Sequence, residues 1–224
     1  MSEPRSRRDR PAKAPLSRAG IVAAAMRVLR ADGLAKVTMR RLAQELDTGP
    51  ASLYVYFAHT AALHAAMLDE VLGTVALARG PWRQRVEEDL LGYTLALFEH
   101  PQLAQSAVTT RPSGPHYLNL VNALLGALAE GGVPAPQAAW GVDVLLQVAT
   151  ANAAEHSARQ SAGTTRRDLD DLAAALGTAS PADHPHIAAV SDHLLSGSPR
   201  DRLRWGYRAL VNGIAHTPPP GDSP

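Results

Sequence analysis

Apolar residues recur at helical spacing along nearly all of this 224-residue chain, which predicts an all-α protein. Ile21, Ala24, Ala25, Val28 and Leu29 share one face of a first helix, with Ser17 as its expected N-cap and Leu16 and Ile21 as its staple. Gly33 should end it and bring Leu34 back onto Leu29 in a Schellman closure. The stretch Thr38 to Phe57, TMRRLAQELDTGPASLYVYF, then reads as two short helices meeting at a sharp turn, a helix-turn-helix. Thr38 offers an N-cap hydroxyl flanked by Val37 and Leu42, and its helix should stop near Leu46. Asp47 falls where the chain must turn left-handed, a conformation Asp tolerates better than most residues. Gly49 and Pro50 open the second helix; proline costs nothing in a first turn, where its missing N–H would be unpaired anyway. Leu42, Ala43, Leu46, Leu53 and Phe57 make the inward face, which leaves Arg40, Arg41, Ser52, Tyr54 and Tyr56 outward.

A fourth helix is expected from Thr60 to about Val75, with Leu63, Met67, Leu68 and Val71 inward. Past Gly80-Pro81 the chain becomes Ala/Leu-rich, with helices predicted near 82–99, 102–110, 115–130, 135–158, 184–196 and 199–215. Pro101, Pro115, Gly131-Gly132, Pro134 and Pro199 punctuate them. Gln160 to Pro185 reads as a flexible connection with a short helix at Arg167 to Leu176. In the last helix Leu203, Tyr207, Leu210, Val211 and Ile214 form the expected buried stripe, and Arg200, Arg202, Arg204 and Arg208 a solvated face.

Charge sharpens this outline. Residues 1 to 60 carry 11 Lys/Arg against 5 Asp/Glu, a net +6, and the remainder is net −5, so the overall +1 hides a basic N-terminal module. Such a module attracts phosphate by counterion release, and Arg and hydroxyl groups beside a recognition helix can anchor to phosphates or read base edges. A helical hairpin with a polar outer face remains the plainer alternative. No Cys occurs, which removes disulfides and thiolate metal sites and fits a reducing cytosol. The basic start lacks an apolar stretch behind it and is not read as a secretory signal, and no membrane span is expected. Nucleotide loops and serine-hydrolase elbows are absent from the sequence, so catalysis is not expected.

Residues 17 to 75 resemble the DNA-binding domain of the tetracycline-repressor (TetR) family of bacterial transcription regulators. The likeness rests on ADGLAKVT, LAQEL, SLYVYF, and Leu63 with Met67. It continues more weakly through Thr110-Arg111-Pro112, the helix around Trp140 to Glu155, and WGYRALVNGI. The Arg- and Pro-rich start reads as a basic disordered arm (1–15) and the end as a disordered tail (217–224). Between them the resemblance implies a helix-turn-helix domain with its linking helix (16–75) and a ligand-binding and dimerisation domain (80–216). It implies a cytoplasmic homodimer, with duplex operator DNA and a small-molecule effector as partners. An effector-free DNA-binding regulator and a helical enzyme are the alternatives. The DNA-facing set is Thr38, Arg40, Arg41, Thr48, Gly49, Pro50, Ser52, Tyr54, Val55, Tyr56 and Thr60. Arg5, Arg7, Arg8, Arg10 and Lys13 could reach a groove as a flexible arm, with a merely solvated tail as the equal alternative. Two departures stand out: Thr60 where the family usually has Lys, and Asp47 in place of the turn Gly.

Polar residues within apolar helices suggest where an effector would sit. Asp143 and Gln147 lie one turn apart, and Asn119 and Asn122 interrupt YLNLVNALL; pairing among themselves is the alternative to lining a cavity. The candidate lining adds His64, Met67, Trp82, Tyr93, Thr110, Arg111, His116 and Trp140, with Phe98 and His156 nearby. Tetracycline-binding relatives ligate the drug's Mg²⁺ through a His whose matching position here is Ala107, and an acidic residue of theirs matches Glu155. No cofactor or metal is therefore expected. His184, His186 and His193 do not share one helical face, and Asp183 is the expected N-cap beside them.

Overall fold

The computed structural model describes residues 15–163 and 165–220, without the side chains of Thr165 and Arg166. The arm residues Arg5 to Lys13 and positions 221–224 lie outside the described residues. Eleven α-helices and one 3-10 turn account for the regular structure of the described residues. The chain divides into two compact units, one up to Leu63 and one from His64.

In the first unit, α1 (Arg18–Asp32) begins where the Ser17 hydroxyl accepts the Gly20 N–H at 3.1 Å. Its end differs from the expected Schellman closure: Gly33 takes φ 84° with ψ 166°, a mirror-extended conformation that only glycine adopts cheaply. The chain then makes a 3-10 turn over Leu34–Lys36. α2 (Met39–Glu45) is capped by Thr38, whose hydroxyl accepts the Arg41 N–H at 3.1 Å. Asp47, at φ 47°, is the sole non-glycine with positive φ among the described residues, and it supplies the sharp turn. α3 (Pro50–Tyr54) follows with Pro50 in its first turn. Ile21, Leu42, Leu53 and Phe57 are each exposed by 1 % or less, so the predicted inner face is the core; Leu46 is half-buried.

α4 (Thr60–Leu72) is shorter than expected. The Thr74 hydroxyl donates to the Val71 carbonyl at 2.7 Å, and the Thr74 and Val75 N–H groups close tight three-residue turns. The imidazole of His59 accepts the Ala62 N–H at 3.1 Å at its start.

The second unit contains α5 (Trp82–Phe98), α6 (Pro101–Ala107), α7 (Pro115–Glu130), α8 (Ala135–Ala162), α9 (Thr165–Gly177), α10 (Pro185–Leu194) and α11 (Pro199–His216). α8 is about 42 Å long at 1.5 Å per residue and packs against α5, α6, α7 and α11. Small residues let it do so. Gly141 backs onto Ile214, where a Cβ would come within 2.5 Å of Cγ2, and Ala149 and Ala153 are fully buried. Two hydroxyl pairs lie within this core, Tyr207 with Thr94 at 2.6 Å and Tyr93 with Thr150 at 2.7 Å.

Three expectations are corrected here. The segment 160–185 is not a flexible connection: α8 runs on to Ala162 and closes on left-handed Gly163. The short helix expected at 167–176 is present as α9, with Leu169, Leu172 and Leu176 on one stripe. The arginine face of α11 is not simply solvated, because Arg204 reaches Glu88 at 2.7 Å and Arg208 pairs with Glu87 through two 3.0 Å bonds. Asp183 does not cap α10; His184 holds the cap position without a side-chain bond.

Candidate nucleic-acid interface and ligand cavity

The outward surface of the helix-turn-helix is carried by short elements whose amides and side chains are placed by the caps described above. Tyr54 is 53 % exposed and Val55 82 %, beside Gly49 and Pro50 at the open start of α3. Thr38 and Arg40 are exposed at the start of α2, while Thr48, Ser52 and Thr60 are half-buried. Two members of the expected set are engaged within the unit. The Tyr56 hydroxyl points inward and donates to the Leu16 carbonyl at 2.7 Å. Arg41 lies 3.4 Å from Asp32 and 3.8 Å from Glu45, so its charge is locally offset. Arg18, which sequence reasoning passed over, explains part of this arrangement: its guanidinium donates to the Tyr56 carbonyl at 3.1 Å and lies 4.3 Å from the centre of the Phe57 ring.

The second unit holds a cavity of about 240 Å³ among α5, α7, α8 and the segment after α6. Tyr93, Arg111, Tyr117, Asp143, Gln147 and Thr150 supply its polar groups, and Ala107, Val108, Pro112, Leu146 and Ala151 its apolar wall. Asp143 accepts from Arg111 at 2.8 Å and from Gln147 at 3.1 Å, so both readings of that pair hold: the groups bond to each other and also line the cavity. Burial pushes the Tyr93 phenol up to about 12 despite its bond to Thr150, and burial raises Tyr117 as well.

Of the expected lining, the cavity gathers Tyr93, Arg111, Asp143 and Gln147. His116 and Asn119 line a separate hollow of about 80 Å³ with Leu72, Gly73, Val75, Leu77 and Leu120. Trp82 instead packs on Gly131, where a Cβ would lie 2.4 Å from its ring. Asn122 is exposed, Trp140 is 60 % exposed, and Met67 is fully buried. Thr110 is half-buried with its N–H bonded to Ser106. His64 is half-buried with its Nε2 unpartnered, and burial lowers its pKa. Tyr117, which the sequence reading missed, sits in a run whose Asn residues drew the attention; its signal was an aromatic two residues past a helix-opening proline.

The donor set does not suit a Mg²⁺-borne ligand. The Ala107 methyl that lines the cavity has no lone pair, Asp143 is held by Arg111, and Glu155 lies on a different surface, paired with Arg159. No three His, Cys, Asp or Glu side chains cluster as a metal would require among the described residues.

That other surface is a groove of about 860 Å³ along α8 and α11, with Val148, Asn152 and His156 facing Trp205, Ala209 and Leu210. Trp205 is 72 % exposed, and Phe98 stacks on His156 at 4.0 Å there. No helix among the described residues is long and apolar enough to cross a membrane.

Comparison with known proteins places this geometry. Residues 21–67 match bacterial regulatory proteins of the tetR family, and residues 76–217 match the tetracyclin repressor-like C-terminal domain. The transcriptional repressor DrrR1 of Streptomyces coeruleorubidus is 30% identical over 92% of this chain and 80% of its own length. Among solved structures, the Streptomyces transcription regulator SCO7704 is 53% identical, with a TM-score of 0.76 over 94% of this chain and 100% of that one. ActR of Streptomyces coelicolor, solved alone and with actinorhodin, is 31% identical with a TM-score of 0.75, covering 90% of this chain and 97% of the actinorhodin-bound one. These proteins are transcription regulators rather than enzymes, and the chain belongs to the TetR family of bacterial DNA-binding transcription regulators.

Proposed function

We propose that the protein is a repressor that binds a two-fold operator as a homodimer and leaves it when a small molecule enters the 240 Å³ cavity. The observation that carries the reading is this cavity, partly apolar and ringed by a few placed polar groups, in a chain whose other unit presents an exposed recognition surface. Arg40 and the start of α3 meet base edges, with Val55 and Tyr54 as the exposed apolar and aromatic contacts. Thr38, Thr48, Ser52, Thr60 and the amides beside Gly49 and Pro50 serve the phosphates. Tyr56 positions the helix from inside, and Arg41 adds little net charge.

The effector is held without metal by Tyr93, Tyr117, Arg111, Asp143, Gln147 and Thr150. The partner copy covers the α8–α11 groove, whose apolar residues would otherwise stand in water. The chain is thus divided into a reading head, a linking helix, and an effector and dimer domain over 80–216. ActR has been solved with actinorhodin and with (S)-DNPA, which makes those two compounds the first to try.

The test is selection of bound duplex from a random pool, followed by titration of actinorhodin and (S)-DNPA, with and without Mg²⁺, against the complex. A symmetric site with half-sites about one helical turn apart, or a multiple of it, is expected. Failure to enrich any site, or release that requires Mg²⁺, overturns the corresponding part of the reading.

A further inference from the structure

α7 begins at Pro115 behind Gly114, a residue with no side chain to cap the first-turn amides. The cap comes instead from another helix. Asp69 of α4, 6 % exposed, accepts the Tyr117 N–H at 2.8 Å through Oδ1 and the His116 N–H at 3.4 Å through Oδ2. A carboxylate at a helix N-terminus is favoured by charge–dipole attraction, and a buried one depends on such donors. The approach is close enough that a Cβ on Gly114 would lie 2.1 Å from Oδ2 and 2.3 Å from Cγ of Asp69.

Tyr117 therefore has two roles. Its amide is the shorter of the two bonds to Asp69, and the same residue forms part of the cavity wall. A ligand that displaces Tyr117 must either leave the buried carboxylate short of a donor or carry α4 with the first turn of α7. α4 runs unbroken from Leu72 back to Thr60, which stands at the edge of the recognition surface.

We propose that Asp69 and Gly114 form a clasp coupling the cavity to α4, and that the closed clasp holds the operator-binding state. Asp69 is on this view a positioning residue, and the inference rests on the function proposed above. The rival is a cap that merely stabilises the fold.

The chain has no Cys, which permits a reversible test. In D69C/G114C the two thiols stand close enough to pair, so oxidation replaces the clasp by a covalent bond and reduction leaves it open. Affinity for the selected operator is measured in both states and for D69A and G114A, at a temperature where circular dichroism shows each variant folded. The oxidised pair should bind like wild type. The reduced pair, D69A and G114A should each bind at least about tenfold more weakly. A merely stabilising cap would lower the melting temperature on reduction and leave affinity unchanged, and that result overturns the clasp. If the thiols fail to pair, unchanged affinity in D69A and G114A overturns it equally. Wild type that enriches no DNA removes the proposed function and this inference together, whereas wild-type binding with unaffected variants removes the clasp alone.

Discussion

Replacing Tyr56 by Phe removes a single hydroxyl, the one that ties the end of the helix-turn-helix to the start of α1 through the Leu16 carbonyl at 2.7 Å. Both residues are half-buried, so the freed carbonyl is only partly rehydrated. A typical net hydrogen bond is worth roughly 0.5–1.5 kcal/mol, and we expect a loss of about 1 kcal/mol. Arg18 keeps its bond to the Tyr56 carbonyl and its place over Phe57, so the segment should loosen rather than detach. Amides around Ser17 to Ile21 should then exchange about fivefold faster, the equivalent of 1 kcal/mol in the opening equilibrium. Operator affinity, measured well below the melting temperature, should change by less than about twofold, because the folded form still dominates. Tyr54→Phe supplies the contrast: its ring is 53 % exposed, so exchange should stay as in wild type while affinity falls. Hydrogen exchange by mass spectrometry and fluorescence anisotropy on the same samples separate the two effects. If Tyr56→Phe leaves exchange untouched and weakens operator binding, the hydroxyl serves a phosphate and the internal role is wrong.

Three further outcomes follow from the same geometry. Arg40→Ala should weaken operator binding by roughly 1–3 kcal/mol, and Arg41→Ala by clearly less because Asp32 and Glu45 already offset that charge; equal losses in anisotropy titrations would contradict the distinction. Trp205→Glu puts a charge on a residue 72 % exposed along the α8–α11 groove, and sedimentation should show a monomer with operator binding lost; a stable wild-type-like dimer would move the interface elsewhere. Burial raises the Tyr93 phenol to about 12 from 10.0, so the stability held by its neutral form is complete below pH 10 and is lost as pH rises from there towards 12. Melting temperatures across that range should fall less steeply in Tyr93→Phe, and an identical alkaline limb would refute the assignment.

Local rules carried the reading head. Ser17, Thr38, Asp47 and Pro50 each act through their own backbone or the next turn, so the caps, the left-handed residue and the helix start were legible one residue at a time. The cavity was legible only in part. Asp143, Gln147 and Ala151 share one face of α8 and could be grouped from spacing, but Tyr117 and Val108 reach the same space by tertiary packing, which periodicity does not encode. The same limit explains Trp82 and Trp140: large aromatics marked them as lining, yet one packs on Gly131 and the other is exposed. The small residues of α8 and α11 divide for a similar reason. Gly141, Ala149 and Ala153 face the interior of the second unit, whereas Ala209 and Gly213 are exposed on α11 and a Cβ on Gly206 would meet nothing.

The charge of the head needs the same separation of what is carried from what is offered. A net +6 over residues 1 to 60 suggests a strongly electrostatic grip, but five of those cations precede Leu16, in a stretch outside the described residues. Within the folded part, Arg18 is occupied by Tyr56 and Phe57, and Arg41 by two carboxylates. Thr60 stands at the start of α4, where a lysine would have added a further charge. The exposed cations of the folded part are then Arg27, Arg30, Lys36 and Arg40, with the exposed carboxylate of Asp47 just before α3, and α3 itself presents neutral groups: hydroxyls, helix-start amides, an aromatic ring and the Val55 methyls. Neutral donors fix register on phosphate without releasing counterions, and an exposed valine favours a thymine methyl over water. On the function proposed above, recognition by this head should lean on placed contacts more than its charge count implies, and its affinity should follow the position of α4 and the clasp that holds it.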